Sequence, residues 1–310
     1  ALDYMRKYLD LTDKSFESRL RYAQFLFYAN DFETLGKEVA TLNAPDANNP
    51  KTFVVKRMQG YSAIENKDFP KGIQYMNELF ARTQDASRII GSDYLYLGKA
   101  YAGSGNDSLA VINITKAVEL DTTKVEELAE IAKKYYGAKN YGKAADIFDK
   151  VISLNSKNPS MAMNAFYLGV ARYVQSAGSN KDLLLKSDAA FAKVIELAPE
   201  YDPAFLYRAR VNKAIDVIDN PETQKGLSVP FYEKYVELLT VTKPEKAAAN
   251  AKNLVDTYNY LGFIISGTDK EKAKEYFNKA LAIEPQNAYA LDNLKALNAP
   301  ATPAKKAPIK

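Results

Sequence analysis

The sequence predicts an all-α fold of stacked antiparallel helix pairs, and three observations carry that reading. First, one phrase recurs: Lys, two apolar or aromatic residues, a variable residue, then Leu or Ile. It stands at Lys116–Leu120, Lys150–Leu154, Lys193–Leu197, Lys234–Leu238 and Lys279–Ile283, with an early copy at Lys7–Leu11. The interval from 116 to 150 is 34 residues and the next three are 41 to 45. Second, a phrase of aromatic, two residues, Leu-Gly, two residues, Tyr lies about twenty residues upstream of most copies. Its clearest form is Tyr94, Leu97, Gly98 and Tyr101, with partial forms at Leu168-Gly169 and at Tyr258 with Leu261-Gly262. Third, a turn and then a small residue separate the phrases, at Ala110, Ala144 and Ala273, with Phe148 and Phe277 four residues later. Self-similarity at this period marks a repeat architecture in which each copy is one supersecondary unit.

Composition excludes several functions. The 310 residues are 47% hydrophobic and 26% charged, an ordinary globular balance. Lys and Arg number 42 against 38 Asp and Glu, a net of +4 spread along the chain, so nucleic acid is not an expected partner. There is no Cys, which removes disulfides, thiolate ligands and a Cys nucleophile. There is no His, which removes the commonest general base and metal ligand. No apolar run approaches the roughly 20 residues of a membrane span. An enzyme would have to work with Asp, Glu, Lys or Tyr alone, so the expectation is a non-catalytic chain with no cofactor and no metal.

The repeated phrases resemble the tetratricopeptide repeat (TPR) pattern: aromatic at position 4, Leu-Gly at 7 and 8, Tyr at 11, Ala at 20, aromatic at 24, Ala at 27 and Pro at 32. Residues 91–124 match with Tyr94, Leu97, Gly98, Tyr101, Ala110 and Ala117, and depart with Ile114 at position 24 and Thr122 at the Pro site. Residues 125–158 match with Tyr135, Ala144 and Phe148, with Ala132 replacing Gly. Residues 255–288 match with Tyr258, Leu261, Gly262, Ala273, Phe277, Ala280 and Pro285, after one deletion in the turn. The resemblance implies a right-handed superhelical solenoid of about seven units plus a capping helix. Small residues at 8, 20 and 27 let paired helices approach, and larger ones at 4, 7, 11 and 24 fill the space between them.

Taken in order, residues 1–14 read as the second helix of a preceding repeat, which suggests a fragment or a processed chain. Units 16–49 and 53–86 keep turns of the right kind at Asn30-Asp31-Phe32 and Lys67-Asp68-Phe69. Units 91–124 and 125–158 follow. Unit 162–201 is expected to carry an extra loop near Ser176–Asp182, and unit 202–250 a longer linker around Asn220-Pro221. Unit 255–288 precedes a cap at 288–298, and the Ala/Pro/Lys tail 299–310 is expected to be disordered.

Features that invite a chemical reading have simpler explanations. Gly103-Ser104-Gly105-Asn106-Asp107 has no strand before it and no Gly-Lys-Ser/Thr after it, and it falls where the repeat needs its turn. Glu126, Glu127 and Glu130 open a helix, where the dipole favours negative charge. Lys305, Lys306 and Lys310 read as a solubilising tail.

The resemblance places the binding surface on first helices, whose positions 2, 5, 9 and 12 face the concave side. The candidates there are Phe27, Arg57, Tyr61, Lys99, Lys133, Tyr136, Tyr173, Arg210 and Lys213. Aromatic and Arg residues are common anchors, and the cations favour an acidic or C-terminal carboxylate partner. The Lys and Asn of the family's two-carboxylate clamp are replaced by Leu95 and Lys99, or by Ala129 and Lys133, so chaperone C-termini are not expected. The expected function is a protein or peptide scaffold, within a membrane-associated complex of the bacterial envelope or periplasm, with a cytoplasmic location as the alternative. The second functional reading is an envelope glycan or peptidoglycan binder.

Overall fold

A computed structural model describes residues 2–42, 46, 49–154 and 159–299. The chain divides into two compact halves, 1–158 and 159–310. Among the described residues all regular structure is helical. The expected tail lies outside the described residues from 300 onward.

The N-terminal half contains α1 (Leu2–Leu11), α2 (Phe16–Tyr28), α3 (Phe32–Ala40), α4 (Pro50–Glu65), α5 (Phe69–Phe80), α6 (Gly91–Gly103), α7 (Asp107–Leu120), α8 (Val125–Gly137) and α9 (Tyr141–Leu154). The C-terminal half contains α10 (Met161–Ser176), α11 (Lys181–Leu197), α12 (Asp202–Asp219), α13 (Val229–Glu237), α14 (Ala251–Ile265), α15 (Lys270–Ile283) and α16 (Ala288–Asn298).

The pairing turns share one local device. Asn30, Lys67, Gly105 and Lys139 take left-handed φ values of 57°, 63°, 82° and 59°. Each is followed by Asp or Asn. The side-chain oxygens of Asp31, Asp68 and Asn106 accept from the amides of Thr34, Lys71 and Leu109, and Asn140 accepts from Lys143. A left-handed residue reverses the chain, and the Asx oxygen satisfies an amide that the new helix leaves free. Asn180 and Asp269 cap α11 and α15 in the same way.

Close approach within pairs centres on glycine. A Cβ at Gly98 would lie 2.5 Å from Ile114 Cγ1, at Gly169 2.7 Å from the Phe191 ring, and at Gly262 2.8 Å from the Phe277 ring. Position 8 therefore receives the side chain at position 24, and Phe191 and Phe277 are fully buried there. Gly60 receives Met76 at 2.6 Å by the same geometry in unit 53–86, where the sequence pattern is weak.

One expected feature is absent. The extra loop near Ser176–Asp182 is a four-residue turn, 177–180, because α11 starts at Lys181 and runs 17 residues. Ala177 at φ 47° and Gly178 at φ 73° make that turn tight, and the additional residues are absorbed as helix. The linker after Asn220 is genuinely long, nine residues from 220 to 228.

Candidate functional site

The sequence-derived candidates separate into two groups with different environments. In the N-terminal half, Phe27 on α2, Tyr61 on α4 and Tyr96 on α6 form one aromatic cluster. Ring centroids are 5.4 Å apart for Phe27 and Tyr61, and 3.7 Å for the stacked pair Tyr61 and Tyr96. Tyr96, which sequence reasoning did not select, is thus as central as Tyr61.

The polar heads of this group are engaged within the chain. Asp93, which is 0% exposed, accepts from Arg57 Nε at 2.7 Å, Arg57 Nη2 at 2.6 Å and Tyr61 Oη at 2.8 Å. It also accepts from the Ile90 amide at 2.9 Å. Burial pushes the Tyr61 phenol up, and the Asp93 charge pushes it further. Arg57 and Tyr61 therefore serve a structural network. Lys99 lies 3.5 Å from Glu127 and 5.7 Å from the centre of the Tyr96 ring. Lys133 pairs with Glu130 at 2.8 Å, and Tyr136 packs edge-on to Tyr141 at 5.4 Å.

In the C-terminal half, Tyr173, Arg210 and Lys213 come together on one groove of about 890 Å³. Leu206, Arg210 and Lys213 share a face of α12 through spacings of four and three. Asn253, Asp256 and Tyr260 do the same on α14. Tyr232 of α13 and Tyr289 of α16 complete the aromatic lining.

The groove holds two cations, Arg210 and Lys213. Arg210 donates from Nη2 to Asn253 Oδ1 at 2.9 Å and lies 5.4 Å from the Tyr207 ring centre. Lys213 Nζ sits 4.5 Å from the Tyr260 ring centre. Among the described residues neither has an ion-pair partner within 4.0 Å. Lys213 is exposed as a whole residue, but partial desolvation of its ammonium in the groove lowers its pKa, outweighing the opposite pull of Asp256.

Polar atoms without partners collect on the same surface. Thr257 Oγ1, Asn259 Oδ1 and Gln224 Oε1 are buried and have no hydrogen-bond partner among the described residues. All three residues line the groove. Leaving such a group unpaired costs about 1–3 kcal/mol, so the three oxygens make this region less stable than a fully paired one would be.

Asp216, fully buried on α12, fixes the nine-residue linker beside this groove. It accepts from the amides of Lys225 at 3.0 Å, Gly226 at 2.7 Å and Leu227 at 3.2 Å, and from Asn220 Nδ2 at 2.9 Å. Desolvation raises its pKa, but the hydrogen bonds together outweigh that, so it stays below its ordinary 3.8. A depressed carboxylate contributes stability above its unfolded pKa and loses it as pH falls through the folded value. The amides of Lys225, Gly226 and Leu227 are therefore expected to stay protected at pH 5 and lose protection below about pH 3.8. Asp216→Asn should weaken that protection already at pH 7. Hydrogen exchange read by mass spectrometry checks both, and equal protection in the variant refutes this account.

Among the described residues no group of three or more His, Cys, Asp or Glu is arranged to hold a metal. No described helix is long and apolar enough to cross a membrane.

Comparison with known proteins fits this architecture. A family model described as a tetratricopeptide repeat matches residues 266–287, the turn into α15, the whole of that helix and the turn after it. The C-terminal part of a TPR repeat-containing protein from Cytophaga hutchinsonii is similar over 89% of this chain and 99% of its own, at 28% identity and a TM-score of 0.50. A tetratricopeptide repeat protein from Parabacteroides merdae ATCC 43184 is 15% identical over 92% of this chain and 99% of its own, with a TM-score of 0.41. YrrB, described as a TPR protein with an unusual peptide-binding site, is 15% identical over 66% of this chain and 97% of its own, with a TM-score of 0.43. No curated protein matches the sequence. The first of these structures, the matched repeat and the glycine-centred pairs together show the tetratricopeptide type of fold, a solenoid of stacked antiparallel helix pairs.

Proposed function

We propose that this chain is a non-catalytic scaffold that holds an acidic peptide segment of a partner protein in the groove of its C-terminal half. TPR proteins bind protein or peptide partners, and the groove supplies what such a segment needs. The observation that carries the proposal is the pair Arg210 and Lys213, two cations without an ion-pair partner among the described residues, set among tyrosine rings. A carboxylate from a ligand completes both cations, and the rings cover its apolar stems. The proposal extends to location. The Cys-free, Tyr- and Lys-rich composition supports an assembly of the bacterial envelope.

Panning a random twelve-residue peptide library against the chain tests the binding claim. Recovered sequences are expected to be enriched in Asp, Glu or a free C-terminal carboxylate. Arg210→Ala should weaken the selected peptide by about tenfold or more, the usual scale for a lost charge-assisted bond. Lys71→Ala, on an exposed position of the other half, should leave it unchanged. Enrichment of neutral or basic sequences sinks the proposal, as does equal binding by Arg210→Ala. Sedimentation with cell-wall polymer instead of peptide capture would favour the glycan reading.

A further inference from the structure

The groove of the C-terminal half carries both signs of charge. Among the described residues three charged side chains line it: Arg210, Lys213 and Asp256. Asp256 stands on α14 and is exposed. It lies three residues after Asn253, which holds the Arg210 guanidinium, and four before Tyr260, whose ring carries the Lys213 ammonium. Spacings of three and four keep these side chains on one helix face. The carboxylate is therefore placed between the two cation contacts along α14.

Four other carboxylates of this half take up a cation from another element. Asp188 pairs with Arg208 at 2.9 Å, Asp219 with Lys181 at 2.6 Å, Asp202 with Lys246 at 2.9 Å and Glu233 with Lys272 at 3.0 Å. Asp256 takes none. Among the described residues no Lys or Arg nitrogen comes within 4.0 Å of its carboxylate, neither Lys213 across the groove nor Lys252 one turn earlier on α14. Lys213 instead places its ammonium 4.5 Å from the centre of the Tyr260 ring. Desolvation lowers the Lys213 pKa by more than Asp256 raises it, as for a carboxylate that is near but out of contact. An ionised carboxylate only accepts hydrogen bonds, so its complement is a cationic donor, whereas Arg210 and Lys213 call for an anion. The two signs read different parts of a ligand.

We propose that Asp256 determines specificity by pairing with a Lys or Arg side chain of the bound peptide, close in sequence to the acid held by Arg210 and Lys213. This rests on the peptide reading above. Two cations against one carboxylate leave the groove one positive charge in excess, so the segment that fits still carries more acids than bases. The 253–260 stretch of α14 rises about 10 Å, and an extended chain advances about 3.3 Å per residue. An acid and a base that both reach this face therefore stand within about three residues of each other.

The test uses the full chain and the tightest peptide recovered from the twelve-residue library, measured by fluorescence polarisation. Recovered sequences should carry Lys or Arg at a fixed offset from the acid. Replacing that base in the peptide by Gln should weaken binding to the natural chain by about fivefold, the upper end for a partly exposed ion pair. Asp256→Asn, which keeps the shape and removes the charge, should weaken the unaltered peptide by a similar factor and bind the Gln peptide no worse than the unaltered one. Such non-additivity marks a direct contact. If recovered peptides carry acids but no base at a fixed offset, or if Asp256→Asn binds the unaltered peptide as tightly as the natural chain or tighter, the Asp256 inference is overturned. The peptide reading then stands, provided that Arg210→Ala weakens binding. If no peptide is recovered, or recovered peptides ignore Arg210→Ala, the peptide reading falls and takes this inference with it.

Discussion

Arg57→Met is expected to destabilise the N-terminal half by about 3 kcal/mol, because it leaves the Asp93 carboxylate buried without its counter-charge. Asp93 is 0% exposed and holds both Nε and Nη2 of Arg57. The remaining donors, Tyr61 Oη and the Ile90 amide, satisfy hydrogen bonds but carry no formal charge. For a half of this size the loss corresponds to a fall in Tm on the order of 10 °C. Arg57→Met combined with Asp93→Leu removes both charges and should recover most of the loss, as replaced buried pairs often do. Thermal unfolding of the two single variants and the double variant reads this as a cycle. Additive losses would show that the two residues do not depend on each other.

That network explains why part of the candidate site could not be read from the sequence. Arg57 and Arg210 both carry their guanidinium on a first helix, and both sit in aromatic surroundings. What separates them is Asp93, 36 residues beyond Arg57, which takes up one guanidinium, whereas Arg210 donates to the neutral Asn253. Repeat spacing reports which face a side chain occupies. It does not report whether a carboxylate from the next repeat arrives opposite it. Tyr96 escaped notice for a related reason, since its stacking on Tyr61 joins two repeats and leaves no mark within either.

The fold was legible where packing imposes a residue type. Leu97-Gly98 and Leu261-Gly262 sit inside α6 and α14, and the Asn30-Asp31 and Lys67-Asp68 turns sit between paired helices. Gly60 and Met76 were harder to see, because a flexible Met fills the place that a ring takes elsewhere and weakens the pattern. The supposed loop near Ser176 misled because Gly178 and Ser179 read as a breaker. A two-residue left-handed turn uses those residues without needing a long loop. The linker at 220–228 was visible as an interruption, but its place beside the groove depends on Asp216, a carboxylate that looks from the sequence like any helical Asp.

Gly98→Leu should give the other large effect, and its sign is diagnostic. Replacing Gly by Ala in an open helix interior stabilises by about 1 kcal/mol, because Gly has the poorer helix propensity. At Gly98 even the first added carbon would lie 2.5 Å from Ile114 Cγ1 and 3.2 Å from both the Ala110 carbonyl oxygen and the Ile114 amide nitrogen. Ile114 is 2% exposed and cannot swing away, and the other two atoms are backbone. The pair α6 and α7 must separate, at a cost of about 3 kcal/mol for leucine, the upper end of ordinary overpacking. Gly137, the last residue of α8, has nothing within 4 Å of its would-be Cβ, so Gly137→Ala is the matched control and should leave Tm unchanged or slightly higher. Adding Ile114→Ala to Gly98→Ala removes the side-chain clash but not the backbone contacts, so it should restore stability only in part. A Gly98→Leu chain that unfolds at the natural Tm would mean that α6 and α7 do not meet at this glycine, and the repeat register anchored there would be wrong.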